Sequence, residues 1–189
     1  MPGKNIKELC GKPLIAWSIE QAKACSNIDR VIVSTDDENI AKVAKQYGAE
    51  VPFIRPSELS SDTASTIDVI FHAIDWFKKH QDFRPEYTLL LQPTSPLRTA
   101  EDIERTIQTL KGKNARAVVS VCKTDHPPWW SNILPEDSNM KDFLRPDILN
   151  KRRQNLPIFY RLNGAIYLAE TDYLLEHSGF FGSDTFAYN

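Results

Sequence analysis

Short β-branched stretches alternate along this chain with longer segments whose apolar residues recur every three or four positions, and that alternation restricts the fold more than any other feature. RVIVST at 30–35 is followed by Ile40, Val43, Ala44 and Tyr47 at helical spacing, closed by Gly48. YTLLLQ at 87–92 is followed by a helix opened by Thr99 with Asp102 and packed through Ile103, Ile107 and Leu110, and then by AVVSV at 117–121. Earlier, Leu14, Ile15, Trp17, Ile19 and Ala22 set a helix over 13–24, with Pro13 in its first turn. Another covers 66–79 through Ile67, Ile70, Phe71, Ile74 and Phe77, where Ser65 and Asp68 have capping-box spacing. EVPFI is a weaker strand, placed at an edge by Pro52. Strand and helix in this rhythm predict an α/β fold, a mainly parallel sheet with crossover helices.

A length of 189 residues suits one domain, expected to span the whole chain. A formal net charge of −2 offers no basic field, so neither nucleic acid nor an anionic membrane is an expected partner. No apolar run reaches the roughly 18 residues of a membrane span and the first residues are polar, which points to the cytoplasm. Cys10, Cys25 and Cys122 lack metal or disulfide spacing and read as buried thiols. The four histidines are equally scattered, so no metal ligands are assigned among them.

Two regions break the rhythm. Residues 126 to 158 hold five of the twelve prolines and the basic run Lys151, Arg152 and Arg153, which marks an inserted arm. Too poor in apolar residues for a core of its own, the arm is expected to order against a second subunit. The opening MPGKN reads as a turn, with no strand before the first helix.

LLLQPTSPLRT at 89–99 runs a buried strand into a polar loop in which Pro93 and Pro96 each fix a φ angle. Ligands of open parallel sheets bind beyond the carboxyl ends of the strands, so Gln92 and Thr94 there are either preorganised for a polar small molecule or ordinary turn and cap residues. Arg98 is read as pairing with an acidic neighbour, and Asp36 and Asp37 as capping the next helix.

PGKNIKELCGKPLIAWSI, VIVSTDDENIAKVAKQYGAEV, RPSELSSDTAST, LLLQPTSPLRT and FYRLNGAIYL, in that order and spacing, resemble the acylneuraminate cytidylyltransferases and their relatives that activate legionaminic and pseudaminic acids. The resemblance implies a Rossmann-like nucleotidyltransferase fold, CTP and a nine-carbon keto sugar acid as substrates, magnesium as cofactor, and a homodimer. Motif by motif it implies that Lys4 and Asn5 meet the phosphates and nucleotide, with Arg55 and Thr66 on the cytidine half. It implies Gln92 and Thr94 at the sugar, Gln92 orienting the attacking hydroxyl and Lys4 joining it in catalysis. Arg161, Asn163 and Tyr167 resemble sugar-acid ligands, Phe180 and Phe181 an aromatic pair on the acyl group, and Arg153 an arginine lent by the partner's arm.

The family pattern also has a strand and an ARxGSKR-like loop ahead of PGKN, and a DxD-like segment beyond AYN. Neither is in this sequence, which is therefore expected to be incomplete at both ends or else to be a non-catalytic remnant. HPPWW places Trp130 where the resemblance to sialic acid enzymes implies a lysine near the sugar, and the two tryptophans, Trp129 and Trp130, suit either a less polar sugar or an anchor for the arm at a dimer interface.

Overall fold

The computed structural model describes residues 3–61 and 64–189. They form two compact units, one made of the chain up to Ser120 with Gly164–Tyr188, the other of Val121–Asn163.

The first unit opens on a short turn, Lys4–Ile6, and a hairpin of β1 (Glu8–Leu9) and β2 (Lys12–Pro13) that the sequence did not announce. Its two-residue turn has φ 52° at Cys10 and 85° at Gly11, the positive pair of a type I′ connection. The turn leaves Cys10 exposed, against the expectation of three buried thiols; Cys25 is buried and Cys122 half-buried. Then come α1 (Leu14–Lys23), α2 (Glu38–Gln46), α3 (Thr66–Gln81), β3 (Tyr87–Leu91), α4 (Ala100–Lys113), β4 (Ala117–Lys123), β5 (Tyr160–Glu170), α5 (Thr171–His177) and β6 (Thr185–Tyr188).

The sheet order is β3-β5-β4-β6. β4 and β6 pair in parallel, whereas β5 runs antiparallel to β3 with Leu89 opposite Leu168. RVIVST is extended but does not become a ladder strand, because hydrogen bonds reach it along one side. The Val33 amide donates to the Glu50 carbonyl at 2.9 Å, the Glu50 amide to Val31 at 2.8 Å and the Arg55 amide to Thr35 at 2.8 Å, and the segment registers as a single parallel bridge, Ile32 to Glu50.

The core divides accordingly. Ile15 and Ile19 of α1 pack with Ala44, Ala49, Val31 and Val33, while Ile70 and Ile74 of α3 pack with Ala117, Val119, Ala169, Tyr173 and Leu174 on the sheet. Cys25, Ile103 and Ile166 form a further cluster with Leu89 and Leu91. Among the described residues no helix is long and apolar enough to cross a membrane.

α1 starts behind Pro13 without a side-chain cap, whereas α2, α3 and α4 are each opened by a side chain that accepts from an orphan amide. At α2 the Asp37 carboxylate accepts from the Asn39 amide at 2.7 Å, while Asp36 turns elsewhere. At α3 the Ser65 hydroxyl accepts from the Ile67 amide at 3.1 Å, a cap on the second helical residue rather than the expected box through Asp68. At α4 both halves form: the Asp102 amide donates to the Thr99 hydroxyl at 3.1 Å and the Thr99 amide to the Asp102 carboxylate at 2.8 Å. Tyr188 of β6 donates to the other Asp102 oxygen at 2.8 Å, tying the edge strand to the helix start.

Burial pushes the Asp102 carboxyl up, but hydrogen bonds from Thr99 and Tyr188, with Arg105 nearby, outweigh it and hold the group below its ordinary value. The stability this contributes is present above the ordinary carboxylate pKa and is lost as pH falls through the depressed one. Thr99→Ala should cost about 1 kcal/mol, or roughly 2–4 °C in Tm. The gap between variant and parent should narrow on acidification, as thermal denaturation across pH would report; a constant gap would separate the cap from Asp102.

Candidate functional site

The loop after β3 is held from three directions. The Ser95 amide donates to the Gln92 carbonyl at 3.1 Å, closing a turn over Pro93, and Gln21 of α1 donates through Nε2 to the Pro96 carbonyl at 2.9 Å. Arg98 supplies the third restraint. Only 5% exposed, it donates to the Ala165 carbonyl of β5 at 2.7 Å, to the Ser18 hydroxyl of α1 at 2.6 Å and, at 3.4 Å, back to the Gln92 carbonyl. Its partners are carbonyls and a hydroxyl rather than the acidic neighbour expected from sequence. Burial pulls its pKa down to about 10, against a smaller upward pull from Asp102, so it stays charged at neutral pH.

Gln92, at the end of β3, leans on Gly164. That glycine has φ 72°, and a Cβ there would lie 3.0 Å from the Gln92 Oε1. Asn163 and Gly164 therefore do not make the turn that an Asn-Gly pair suggests; they lie within the eleven-residue β5, where glycine admits both the left-handed backbone and a close neighbour.

A cavity of about 1020 Å³ opens in the first unit, and Asn5, Arg55, Thr66 and Gln92 all line it, along with Asp36 and Ser60. Arg55 is aimed by two groups that sequence reasoning did not assign to a site. Its Nε donates to Ser60 Oγ at 3.0 Å and its Nη2 to Asp36 Oδ1 at 3.0 Å. Thr66 opens α3, where the positive end of a sixteen-residue helix faces the cavity. Lys4 stands exposed in the opening turn beside Asn5, and Thr94 is exposed on the loop. The arrangement suits an anionic, polar ligand: a fixed guanidinium, a helix start and an amide side chain on one wall system.

None of the remaining expected residues is among those that line that cavity. Phe180 is 3% exposed and packs 5.4 Å from the half-buried Tyr167 in the core around α3 and β5, while Phe181 is exposed. In the second unit Arg153 and Arg161 are exposed, and the Asn163 side chain donates to the Val121 carbonyl at 3.1 Å. Trp129 there packs edge-on against Phe159 with the Arg145 guanidinium 4.9 Å from its ring centre. Among the described residues no cluster of three His, Cys, Asp or Glu could hold a metal ion.

The family described as Cytidylyltransferase matches residues 1–188. CMP-N,N'-diacetyllegionaminic acid synthase of Legionella pneumophila is 38% identical over 98% of this chain and 78% of that protein. N-acylneuraminate cytidylyltransferase of Escherichia coli is 35% identical over 98% of this chain, which spans 42% of its length. Pseudaminic acid cytidylyltransferase of Campylobacter jejuni is 30% identical over 96% of this chain and 77% of that protein. In fold the chain is similar to CMP:2-keto-3-deoxy-manno-octonic acid synthetase complexed with CTP, with a TM-score of 0.66 at 20% identity over 94% of this chain and 71% of that one.

The buried guanidinium generates a stability prediction. Arg98→Met should cost about 3 kcal/mol, because it removes the donors that meet the Ser18 hydroxyl and the Ala165 and Gln92 carbonyls. Arg98→Lys should recover little of that, since an ammonium cannot span three partners as a planar fork does. Urea denaturation of both variants checks this, and a midpoint unchanged in either would remove Arg98 from its structural role.

Proposed function

Because this chain belongs to the cytidylyltransferase family, we propose that it transfers CMP from CTP to the anomeric hydroxyl of a nine-carbon keto sugar acid of the sialic type. The observation that carries this reading is the convergence of Asn5, Arg55, Thr66 and Gln92 on one cavity, residues singled out by three separate sequence motifs. In the reaction the sugar hydroxyl oxygen bonds to the α-phosphorus, the bond from that phosphorus to the bridging oxygen breaks, pyrophosphate leaves, and the hydroxyl proton is released. No covalent intermediate with the protein is needed; positioning and charge stabilisation lower the barrier.

Arg55, aimed by Asp36 and Ser60, and the start of α3 at Thr66 are proposed to hold the cytidine half, with Asn5 and Lys4 on the phosphates. Gln92, braced by the loop, orients the attacking hydroxyl, and Thr94 stands beside it. Magnesium is proposed as the ion that accompanies the triphosphate, and the described residues form no three-ligand cluster for it. Arg161, Asn163, Tyr167, Phe180 and Phe181 remain proposed sugar contacts, of which Phe181 and Arg161 are the exposed ones.

A legionaminic-type sugar is the second reading, supported by the 38% identity to the Legionella protein and by the aromatic pair Trp129 and Trp130. Pyrophosphate release should require CTP together with magnesium and a keto sugar acid, and N-acetylneuraminic and diacetyllegionaminic acids supplied side by side separate the two readings. Equal turnover with ATP, or release with no sugar acid present, would refute the assignment.

The arm supports a homodimer. Ile133, Leu134, Met140, Leu149 and Ile158, all in the second unit, are more than half exposed, an apolar surface of the kind a partner subunit covers. Sedimentation at micromolar concentration should give a dimer. If Arg153 reaches the partner's sugar carboxylate, Arg153→Ala should raise the sugar acid KM about ten- to a hundredfold and leave the CTP KM nearly unchanged. A strict monomer, or an equal rise in both constants, would count against the assembly.

A further inference from the structure

The ion pair on the cavity wall is placed poorly for stability and well for recognition. Arg55 Nη2 meets Asp36 Oδ1 at 3.0 Å with the two side chains 22% and 49% exposed, and a pair so open to water contributes little to folding. Its geometry is nevertheless closely restrained. Ser60 Oγ accepts from Arg55 Nε at 3.0 Å and itself donates to the Pro56 carbonyl at 3.1 Å, so the guanidinium is held at two of its nitrogens. The backbones of the two partners are tied together at Thr35. The Arg55 amide donates to the Thr35 carbonyl at 2.8 Å, and the buried Thr35 hydroxyl accepts from the Asp37 amide at 3.1 Å, which fixes the chain on both sides of Asp36.

Nε and Nη2 lie on one edge of the guanidinium plane, so Nη1 keeps both of its N–H groups. Among the described residues neither Arg55 Nη1 nor Asp36 Oδ2 has a hydrogen-bond partner, and both side chains line the cavity, where they set a donor beside an acceptor. One pyrimidine matches that pattern and the other does not. Cytosine offers acceptors at O2 and N3 and an amino donor at position 4. Uracil keeps O2, but its N3 is a donor and its position 4 a carbonyl acceptor. A carboxylate oxygen attracts the amino group and repels the carbonyl, whereas a contact to O2 alone cannot tell the two bases apart.

We infer that Asp36 is the residue that separates CTP from UTP: through Oδ1 it sets the Arg55 guanidinium, and through Oδ2 it accepts from the 4-amino group of the base. The inference rests on the reading that puts Arg55 on the cytidine half, and it goes further by giving Asp36 a contact of its own with the nucleotide. A carboxylate suits both tasks because its two oxygens accept in different directions and neither can donate. Ser60 has a different part. It touches Arg55 and the Pro56 carbonyl, so it is a positioning residue that steadies the guanidinium for either base.

The test is the ratio of CTP to UTP affinity, measured by isothermal titration in magnesium for the 189-residue chain and for Asp36→Asn, Asp36→Ala and Ser60→Ala. In Asp36→Asn the amide oxygen can still accept from Arg55 while an NH2 group replaces Oδ2, so the ratio should fall about tenfold or more, with UTP binding retained. Asp36→Ala removes the acceptor without adding a donor; it should lower the ratio by about threefold, and it decides the matter if the Asn variant does not fold. Ser60→Ala should weaken both nucleotides by the same factor. An unchanged ratio in the Asp36 variants, even with both affinities reduced, makes Asp36 only an aiming group for Arg55 and overturns the proposal. So does a fall in the ratio for Ser60→Ala as large as that for Asp36→Asn. A parent that prefers CTP, with Asp36 variants that prefer it equally, sinks this inference alone and leaves the cytidylyltransferase reading standing; a parent that binds both nucleotides alike, or neither, sinks both.

Discussion

A buried guanidinium that faces carbonyls and a hydroxyl holds the end of β3 in place. Arg98 reaches α1 through Ser18, β5 through Ala165 and its own loop through Gln92, and no other described residue joins those three elements by side-chain hydrogen bonds. Burial costs the charged form, as the pKa of about 10 records, and carbonyl dipoles offset much of that cost. Arginine suits the position because its donors leave in a rigid plane and can bind several acceptors at once. Pro93 and Pro96 then need only remove the residual freedom of the loop, and Gln21 on the Pro96 carbonyl closes its far side.

From that anchor the placement of the site follows. The loop leaves β3 where α2 and α3 begin, so helix starts, the Arg55 side chain and Gln92 share a cavity without any of them being drawn from the core. Asp36 is half-exposed yet decisive, because by taking one end of the Arg55 guanidinium it fixes where the other donors point. The weakly acidic chain thus presents a local cationic feature that its net charge of −2 conceals.

Local signals in the sequence were faithful where one segment decides its own conformation. Helical spacing located α1 to α4, Thr99 with Asp102 formed the full box, and Gly48 closed α2 with φ 88°. They were misleading where a distant partner decides. RVIVST has strand composition but, among the described residues, finds a neighbour on one side only, and β5 contains an Asn-Gly pair that ordinarily makes a turn. That Phe180 packs 5.4 Å from Tyr167 is likewise set by the fold and not by its residue type. The roles of Asp36 and Ser60 had no signal at all, since each is an ordinary loop residue until the chain brings Arg55 beside it.

The contact between Gln92 and the bare Cα of Gly164 makes those two positions, far apart in sequence, a single unit for anyone redesigning the protein. A larger residue at 164 meets two obstacles, the end of the Gln92 side chain and a left-handed backbone, and a smaller residue at 92 removes only the first. Keeping glycine at 164 while varying 92 is therefore the route by which such a loop could acquire a different reach.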